Sequence, residues 1–544
     1  MTLWTADEIA AATGGTVRGA FAVTGVTFDS REVAPGDLFV AMPGTVHDGH
    51  QFVAGAFAAG AAGAMVSQSV DGPHMLVADV ARALEDLGRA SRERSRARLI
   101  AVTGSVGKTS TKEALFAALD RWRPGRVHRS VKSYNNHTGV PLSLARMPRD
   151  AQFAVLELGM NNAGEIAALT RMVRPHVAVI TAIAPAHIEN LGSEEAIADA
   201  KAEIFQGLEG FDADDDGGIA IVPNDSPFRD RLVKAARRHA GHILTFGSGD
   251  ADVHSVHAVR STGGGSLITA SLLECTLTFT ISQRGDHWVS NALAVLAAVE
   301  AVGGDVAIAG LALGDLGGLK GRGQRHVIEI DAGGQSGKLL LIDESYNANP
   351  ASMAATLKSL GAESDIERRI AVLGPMRELG SHSETLHAGL ASAVVDAHVD
   401  RLILIGDEMR PLTEAIVGKI ALYLVADVEQ AIAALSSMIR PGDAVLIKAS
   451  NSVGLAKLVE HMVKAPACST CSPSISDFRV SSTSSATSAF APARPARPRL
   501  RSGWCSGRGS FPTCACARAR ASRSAPTARK PTSPSAARRP WAGC

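Results

Sequence analysis

Three apolar runs, Leu99 to Thr103, Phe153 to Leu158 and Val177 to Ile183, are separated by stretches with helical patterning, and this alternation constrains the chain most. Each run has the length of one strand and few polar positions, as a strand covered on both faces requires. Such strands, alternating with helices, build a mostly parallel sheet with crossover connections. An Ala-rich helix, Asn291 to Val302, closes this part. A second series opens near Gly318, with expected strands Lys338 to Asp343, Ile370 to Gly374, Arg401 to Gly406, Leu422 to Val425 and Ala444 to Lys448. It implies a Rossmann-like sheet. Residues 1 to about 80 look like a smaller α/β unit. Gly36 to Ala41 reads as a turn then a strand, Phe52 to Gly63 as an Ala-rich helix ended by glycine, and Met65-Val66 as the start of another strand. The expected fold is α/β with three domains, 1–80, 81–317 and 318–464, followed by a tail over 465–544.

The tail differs in kind from the rest. It holds 13 of the 55 basic residues and one acidic residue, Asp477, so the first 464 residues carry a net charge of about −11 although the whole chain is at +1. An acidic body argues against a nucleic-acid-binding body. The tail is rich in Ser, Pro, Arg and Ala, a composition that predicts disorder. A shifted reading frame of a GC-rich message would give the same composition, and a basic nucleic-acid-binding tail is the functional alternative. Cysteines divide the same way. Cys275 stands alone before residue 465, and Cys468, Cys471, Cys505, Cys514, Cys516 and Cys544 follow it. A large body with one cysteine has no disulfide framework, which fits a reducing compartment. Thr5-Ala6-Asp7-Glu8 reads as a capping box with no basic segment before it, and no apolar run approaches the roughly 18 residues of a membrane span. A soluble, cytoplasmic protein is expected.

Thr103-Gly104-Ser105-Val106-Gly107-Lys108-Thr109-Ser110 follows an apolar strand and opens a helix. That is the setting of a phosphate loop: glycines let backbone N–H groups converge on phosphate, and the helix N-terminus favours an anion. Lys108 can reach the outer phosphates and the Thr109 hydroxyl can bind Mg²⁺. Only two residues separate Gly104 from Gly107, fewer than in the general Walker A pattern. An ordinary strand–helix turn is the alternative, but Lys-Thr directly after the glycine favours nucleotide binding.

Other candidates are weaker taken singly. Glu157 ends the second strand of this unit and His187 follows the third, so both fall at the carboxyl edge where open sheets bind ligands. A carboxylate suits Mg²⁺, while imidazole is a less usual ligand. Lys201 lies among acidic residues on a helical stretch and reads as a solvated lysine. Ser290 and Asn291 are both good helix caps. Asp343 to Pro350 is equally consistent with a binding loop and with a turn.

Together these residues resemble the Mur ligase family, over roughly residues 1 to 464. Phe28-Asp29-Ser30-Arg31, Gly36 to Ala41 and Asp48-Gly49-His50 are similar to the family's UDP-binding domain, and Thr103 to Thr111 to its short phosphate loop. Tyr134-Asn135-Asn136-His137-Thr138-Gly139-Val140-Pro141 resembles the segment that follows. Tyr346-Asn347-Ala348-Asn349-Pro350 is similar to the D-alanyl-D-alanine-adding branch, and no Asp-Asn-Pro-Arg, the mark of the diaminopimelate-adding branch, is present.

The resemblance implies a UDP-binding domain, a P-loop ATPase domain and a C-terminal ligase domain. It implies a reaction joining D-alanyl-D-alanine to UDP-N-acetylmuramoyl-tripeptide, with ATP and Mg²⁺, through an acyl phosphate. It implies catalytic roles for Lys108, His187 and Lys201, the last as a carbamate. Nucleotide contacts are implied for Gly104 to Ser110, Asn291, Arg322 and Asp343. Substrate contacts are implied for Ser30, Arg31, Asp48, His50, Asn135, Asn136 and Tyr346 to Pro350. Metal contacts are implied for Thr109, Glu157, His187 and Lys201. A monomer is expected, without nucleic acid. Pro375 departs from the family, which usually has Asp there. Another amino-acid-adding Mur enzyme or a folylpolyglutamate synthase is the alternative ligase. A nucleotide-binding protein holding nucleic acid by its tail is the non-enzymatic one.

Overall fold

The computed structural model describes residues 2–44, 47–212, 217–261, 264–332 and 335–464. The readings made of the tail, as disordered or as nucleic-acid-binding, lie outside them. All the described residues belong to one compact unit.

Among these residues the chain forms three main sheets, and the mixed α/β architecture matches the expectation. The N-terminal sheet runs Thr16–Arg18, His74–Leu76, Gly63–Val66, Asp37–Val40, Gly25–Thr27, parallel except at its first pair. Thr5 caps the first helix, Ala6–Thr13, with a capping box. The expected helix over Phe52 to Gly63 is shorter: it spans Val53–Ala58, and Gly63 begins a strand instead of ending the helix. Gly60, at φ +103°, makes the turn between them.

The central sheet has nine strands, in the order Thr276–Ile281, Ser266–Ser271, Val253–Arg260, His242–Gly247, Ile219–Pro223, Val177–Ile180, Arg98–Thr103, Phe153–Glu157, Val127–Arg129. All pairs are parallel except the two at the Thr276–Ile281 end. Buried clusters cover it on two sides, one including Ile100, Val102, Val155 and Val179, the other Leu99, Ala101, Ala154 and Ala178. Adjacent residues of one strand point to opposite faces, so the uninterrupted apolar runs follow from this double cover.

The six strands of the C-terminal sheet run Gln324–Ala332, Gln335–Glu344, Asp443–Lys448, Arg368–Leu373, Arg401–Ile405, Ala421–Val425, and only the first pair is antiparallel. Ser290 and Asn291 do not cap the helix of the central domain. It spans Asp286–Ala301, with Gly285 at its N-cap, so both residues lie inside its second turn.

Helix Val80–Arg94 packs on helix Gly139–Ala145, and their buried residues share one apolar cluster with Trp4, Leu38 and Met65. This seats the N-terminal domain on the central one. Trp4 Nε1 donates to Ala145 O at 2.9 Å, the Phe28 and Tyr134 rings are 5.3 Å apart, and Glu32 pairs with Lys132.

Candidate active site

Register places the chemistry at one edge. Glu157 pairs with Val102 and Ile180 with Thr103, so Thr103, Glu157 and Thr181 end neighbouring strands together. The phosphate loop leaves that edge and enters helix Lys108–Trp122. Gly107 is left-handed, at φ +85°, and a Cβ there would lie 2.9 Å from Asn291 Oδ1. A Cβ on Gly104 would meet Thr181 Oγ1 at 1.9 Å. Only glycine permits this close backbone. The loop is tied down on its far side: Ser105 N donates to Ala182 O at 2.8 Å, Ser105 Oγ to Ala184 O at 2.8 Å, and Thr181 Oγ1 to Val106 O at 2.5 Å.

Lys108 Nζ donates to Gly104 O at 2.6 Å, lying across the loop. Burial pulls its pKa down, opposed by the Glu157 carboxylate and reinforced by Arg322. Thr109 Oγ1 donates to Glu157 Oε2 at 2.9 Å, and Asn135 Nδ2 to Glu157 Oε1 at 2.8 Å. Glu157 is 1% exposed. Behind Glu157 stands a lysine that was not singled out from the sequence. Lys112, fully buried, donates to Ser130 O at 2.9 Å and Lys132 O at 2.5 Å, pairs with Glu113 at 3.0 Å and stands 4.0 Å from Glu157 Oε2.

Lys201 is not the solvated lysine that its acidic neighbours suggested. It is 1% exposed, and among the described residues no carboxylate acts on it. Burial, then the nearby Lys108 charge, hold its pKa well below the usual value. Ile197 and Lys201 share a helix face, so the whole stripe turns inward.

The central and C-terminal domains enclose a cavity of about 640 Å³. Ser105 to Ser110, Asn135, Asn136, Glu157, His187 and Asn291 line one wall; Arg322, Tyr346, Asn347 and Asn349 line the other. The Arg322 guanidinium lies over the Tyr346 ring, 4.4 Å from its centre. Gly104, Lys201, Ala348 and Pro350 do not line it. Asn349 caps helix Pro350–Gly361, with Pro350 in its first turn, which fixes the approach of the Tyr346 loop.

Asp343 does not line the cavity. Its carboxylate accepts from Gly321 N at 2.8 Å, Ser345 N at 3.1 Å and Ser345 Oγ at 2.6 Å, and so holds the loop that carries Arg322. The strand's alternation puts the next residue, Glu344, on the cavity instead. Burial raises the Glu344 pKa, against the pull of Lys448, whose Nζ lies 3.4 Å away and also donates to Asn347 O at 2.8 Å. Glu344 and Lys448 were missed from sequence, although the pair Asp-Glu at a strand end offered both carboxylates.

Ser30, Arg31, Asp48 and His50 lie in the N-terminal domain and do not line this cavity. Arg31 is held by Asp29 through two bonds of 2.7 and 2.8 Å, and Asp48 by His50 at 2.6 Å. The Arg31 pair draws the Asp29 carboxyl down to about 2. Pro375 is buried, and its carbonyl accepts from Ser450 N at 3.2 Å.

Three family models match in chain order: the Mur ligase family catalytic domain over residues 22–101, the Mur ligase middle domain over 102–299 and the Mur ligase glutamate ligase domain over 332–451. The chain belongs to the Mur ligase family. Among similar Mur ligases, the UDP-N-acetylmuramoyl-tripeptide–D-alanyl-D-alanine ligase of Bacillus subtilis is 33% identical over 455 residues, covering 82% of this chain and 94% of that one. MurF from Acinetobacter baumannii superposes with a TM-score of 0.72 at 30% identity, covering 85% and 98%. MurF ligase from Thermotoga maritima, solved in complex with ADP, does so at 0.65 and 27%, covering 81% and 97%. No helix among the described residues of this Mur ligase is long and apolar enough to cross a membrane.

Proposed function

We propose that this Mur ligase joins D-alanyl-D-alanine to UDP-N-acetylmuramoyl-tripeptide, with ATP cleaved to ADP and phosphate, in peptidoglycan precursor synthesis in the cytoplasm. One observation carries the reading. The phosphate loop and the Tyr346–Asn349 loop face each other across one cavity, so a nucleotide and an acceptor can meet there.

The tripeptide carboxylate attacks the γ-phosphate of ATP. Lys108 swings off Gly104 O to the phosphates, and the loop N–H groups stabilise the charge that builds on the oxygens. The ADP leaves an acyl phosphate. The dipeptide amine attacks its carbonyl, the amine proton passes to the surrounding base or water, and phosphate departs. Closure of the C-terminal domain keeps water from the acyl phosphate. Arg322, stacked on Tyr346, adds positive charge to the nucleotide side, with Asn291 beside Gly107. The N-terminal residues Ser30, Arg31, Asp48 and His50 hold the UDP moiety away from the reacting end.

The donors fit magnesium. Thr109 Oγ1 and Glu157 Oε2 lie 2.9 Å apart beside the phosphate loop, a hydroxyl and a carboxylate of the kind that share Mg²⁺ with phosphates. Thr109 and Glu157 would hold the ion, with His187 on the same wall, and the ion would neutralise phosphate charge. Lys201, as a carbamate, would add an anionic oxygen ligand. A lysine buried without an acidic partner favours the neutral amine, which adds CO₂ to give R–NH–CO₂⁻ and a proton.

The test is ATP-dependent product formation from UDP-N-acetylmuramoyl-tripeptide, comparing D-alanyl-D-alanine with D-alanine, D-glutamate and diaminopimelate. Product with the dipeptide alone is expected. Preferred use of a single amino acid would replace this reading with that of another ligase of the family.

A further inference from the structure

The loop after strand Arg368–Leu373 leaves the C-terminal domain and reaches the central one. Glu378, at φ +63°, sets its carboxylate against His187 Nδ1, and its carbonyl accepts from Glu189 N at 3.3 Å. A Cβ on Gly380 would lie 3.0 Å from the Glu189 side chain, so the two segments touch closely. Ile188 packs against the apolar cluster of the C-terminal domain. His187 Nδ1 is buried and makes no hydrogen bond of regular geometry among the described residues; its polar contact is the ion-pair approach of the Glu378 carboxylate. His187 itself is left-handed, at φ +60°, and lines the cavity. An imidazole that turns its Nδ1–H toward a carboxylate keeps its lone pair on Nε2, and that partner fixes both tautomer and ring orientation. Here the partner belongs to a different domain from the histidine.

We infer that Glu378 is a positioning residue that sets the tautomer and orientation of His187, and that it does so only while the C-terminal domain is closed on the central domain. What the closed site then does rests on the ligase reading above. The contact itself does not. Both side chains keep some exposure, so the pair adds little to the stability of closure. Its effect is on geometry: the histidine side of the phosphate cavity is complete only after closure, when water is already excluded.

The experiment uses the full chain labelled with ¹⁵N-histidine, wild type against Glu378→Ala and Glu378→Asp, with His187→Gln to assign the resonance. The nitrogen shifts of His187 report the tautomer, and steady-state kinetics report turnover. Glu378→Ala should lose the Nε2 lone-pair signature and lower kcat by about tenfold or more, with the KM for ATP within about twofold. Glu378→Asp should restore part of both. Unchanged His187 shifts in Glu378→Ala would overturn the inference, whatever happens to kcat. If the wild type fails to join the dipeptide, the ligase reading falls, while the nitrogen shifts still decide the role of Glu378.

Discussion

Lys112→Met tests how far a single buried charge supports the phosphate site. The ammonium makes bonds of 2.9 and 2.5 Å to the carbonyls of Ser130 and Lys132 and pairs with Glu113 at 3.0 Å. A hydrogen bond to a charged group contributes about 1.5–3 kcal/mol, so the two carbonyl bonds together amount to about 3–6 kcal/mol. Methionine has similar length and removes the cost of desolvating the ammonium, which is several kcal/mol and of opposite sign. What decides the net effect is what stays behind. Two carbonyls keep unmet acceptors, and Glu157, 1% exposed, loses a cation 4.0 Å away. Removing one partner of a buried pair costs about 3–5 kcal/mol, so a net loss of about 3 kcal/mol is expected. Thermal unfolding should begin several degrees lower, and ADP titrated calorimetrically in the presence of Mg²⁺ should bind about tenfold more weakly, because the 130–135 segment also carries Asn135 to Glu157. A variant with the wild-type melting curve and wild-type ADP affinity would refute the claim that Lys112 holds this segment.

Lys108→Ala should lower turnover by about 10²-fold or more without moving the melting temperature, through loss of transition-state charge stabilisation; near-normal turnover would remove the phosphate-loop assignment. Lys201→Ala should lose most activity and regain part of it with added short carboxylates, and mass spectrometry under bicarbonate should find 44 Da, the mass of CO₂, on the wild-type lysine by about one adduct per chain. A chain ending at Lys464 should keep activity and melting temperature, since the cavity is built before that point; loss of either would give the tail a role. Burial depresses the His128 pKa to about 4, against the ordinary 6.5, so the unfolded chain binds the extra proton between those values. Stability should therefore fall as pH drops from about 6.5 to about 4, by about 2 kcal/mol after allowing for its partial exposure, and His128→Gln should flatten that slope.

The strand–loop–helix turn over Thr103 to Ser110 was legible because its requirements are local: two glycines, then Lys-Thr, at a strand–helix junction. The parallel sheets were legible for a related reason, since strands covered on both faces leave uninterrupted apolar runs. The two antiparallel strands at the edge of the central sheet, Ser266–Ser271 and Thr276–Ile281, left no such run, because their alternate residues are exposed. Asp343 and Glu344 show a different limit. Both are carboxylates at one strand end, and alternation guarantees that only one can face the cavity. Which one does is decided by the Gly321 amide closing on Asp343, a contact between residues 22 apart that neither local propensity nor period reveals. Lys112 and Lys201 were within reach. Lys112 is one turn beyond Lys108 on the same helix face, and Lys201 one turn beyond Ile197, so helical period alone turns both lysines inward. Its acidic neighbours pointed Lys201 outward, and that reading lost because burial favours its neutral amine, while carbonyls meet the ammonium of Lys112. Glu378 was beyond reach altogether: its partner, His187, is on another domain, and only the closed arrangement of the two brings carboxylate and imidazole together.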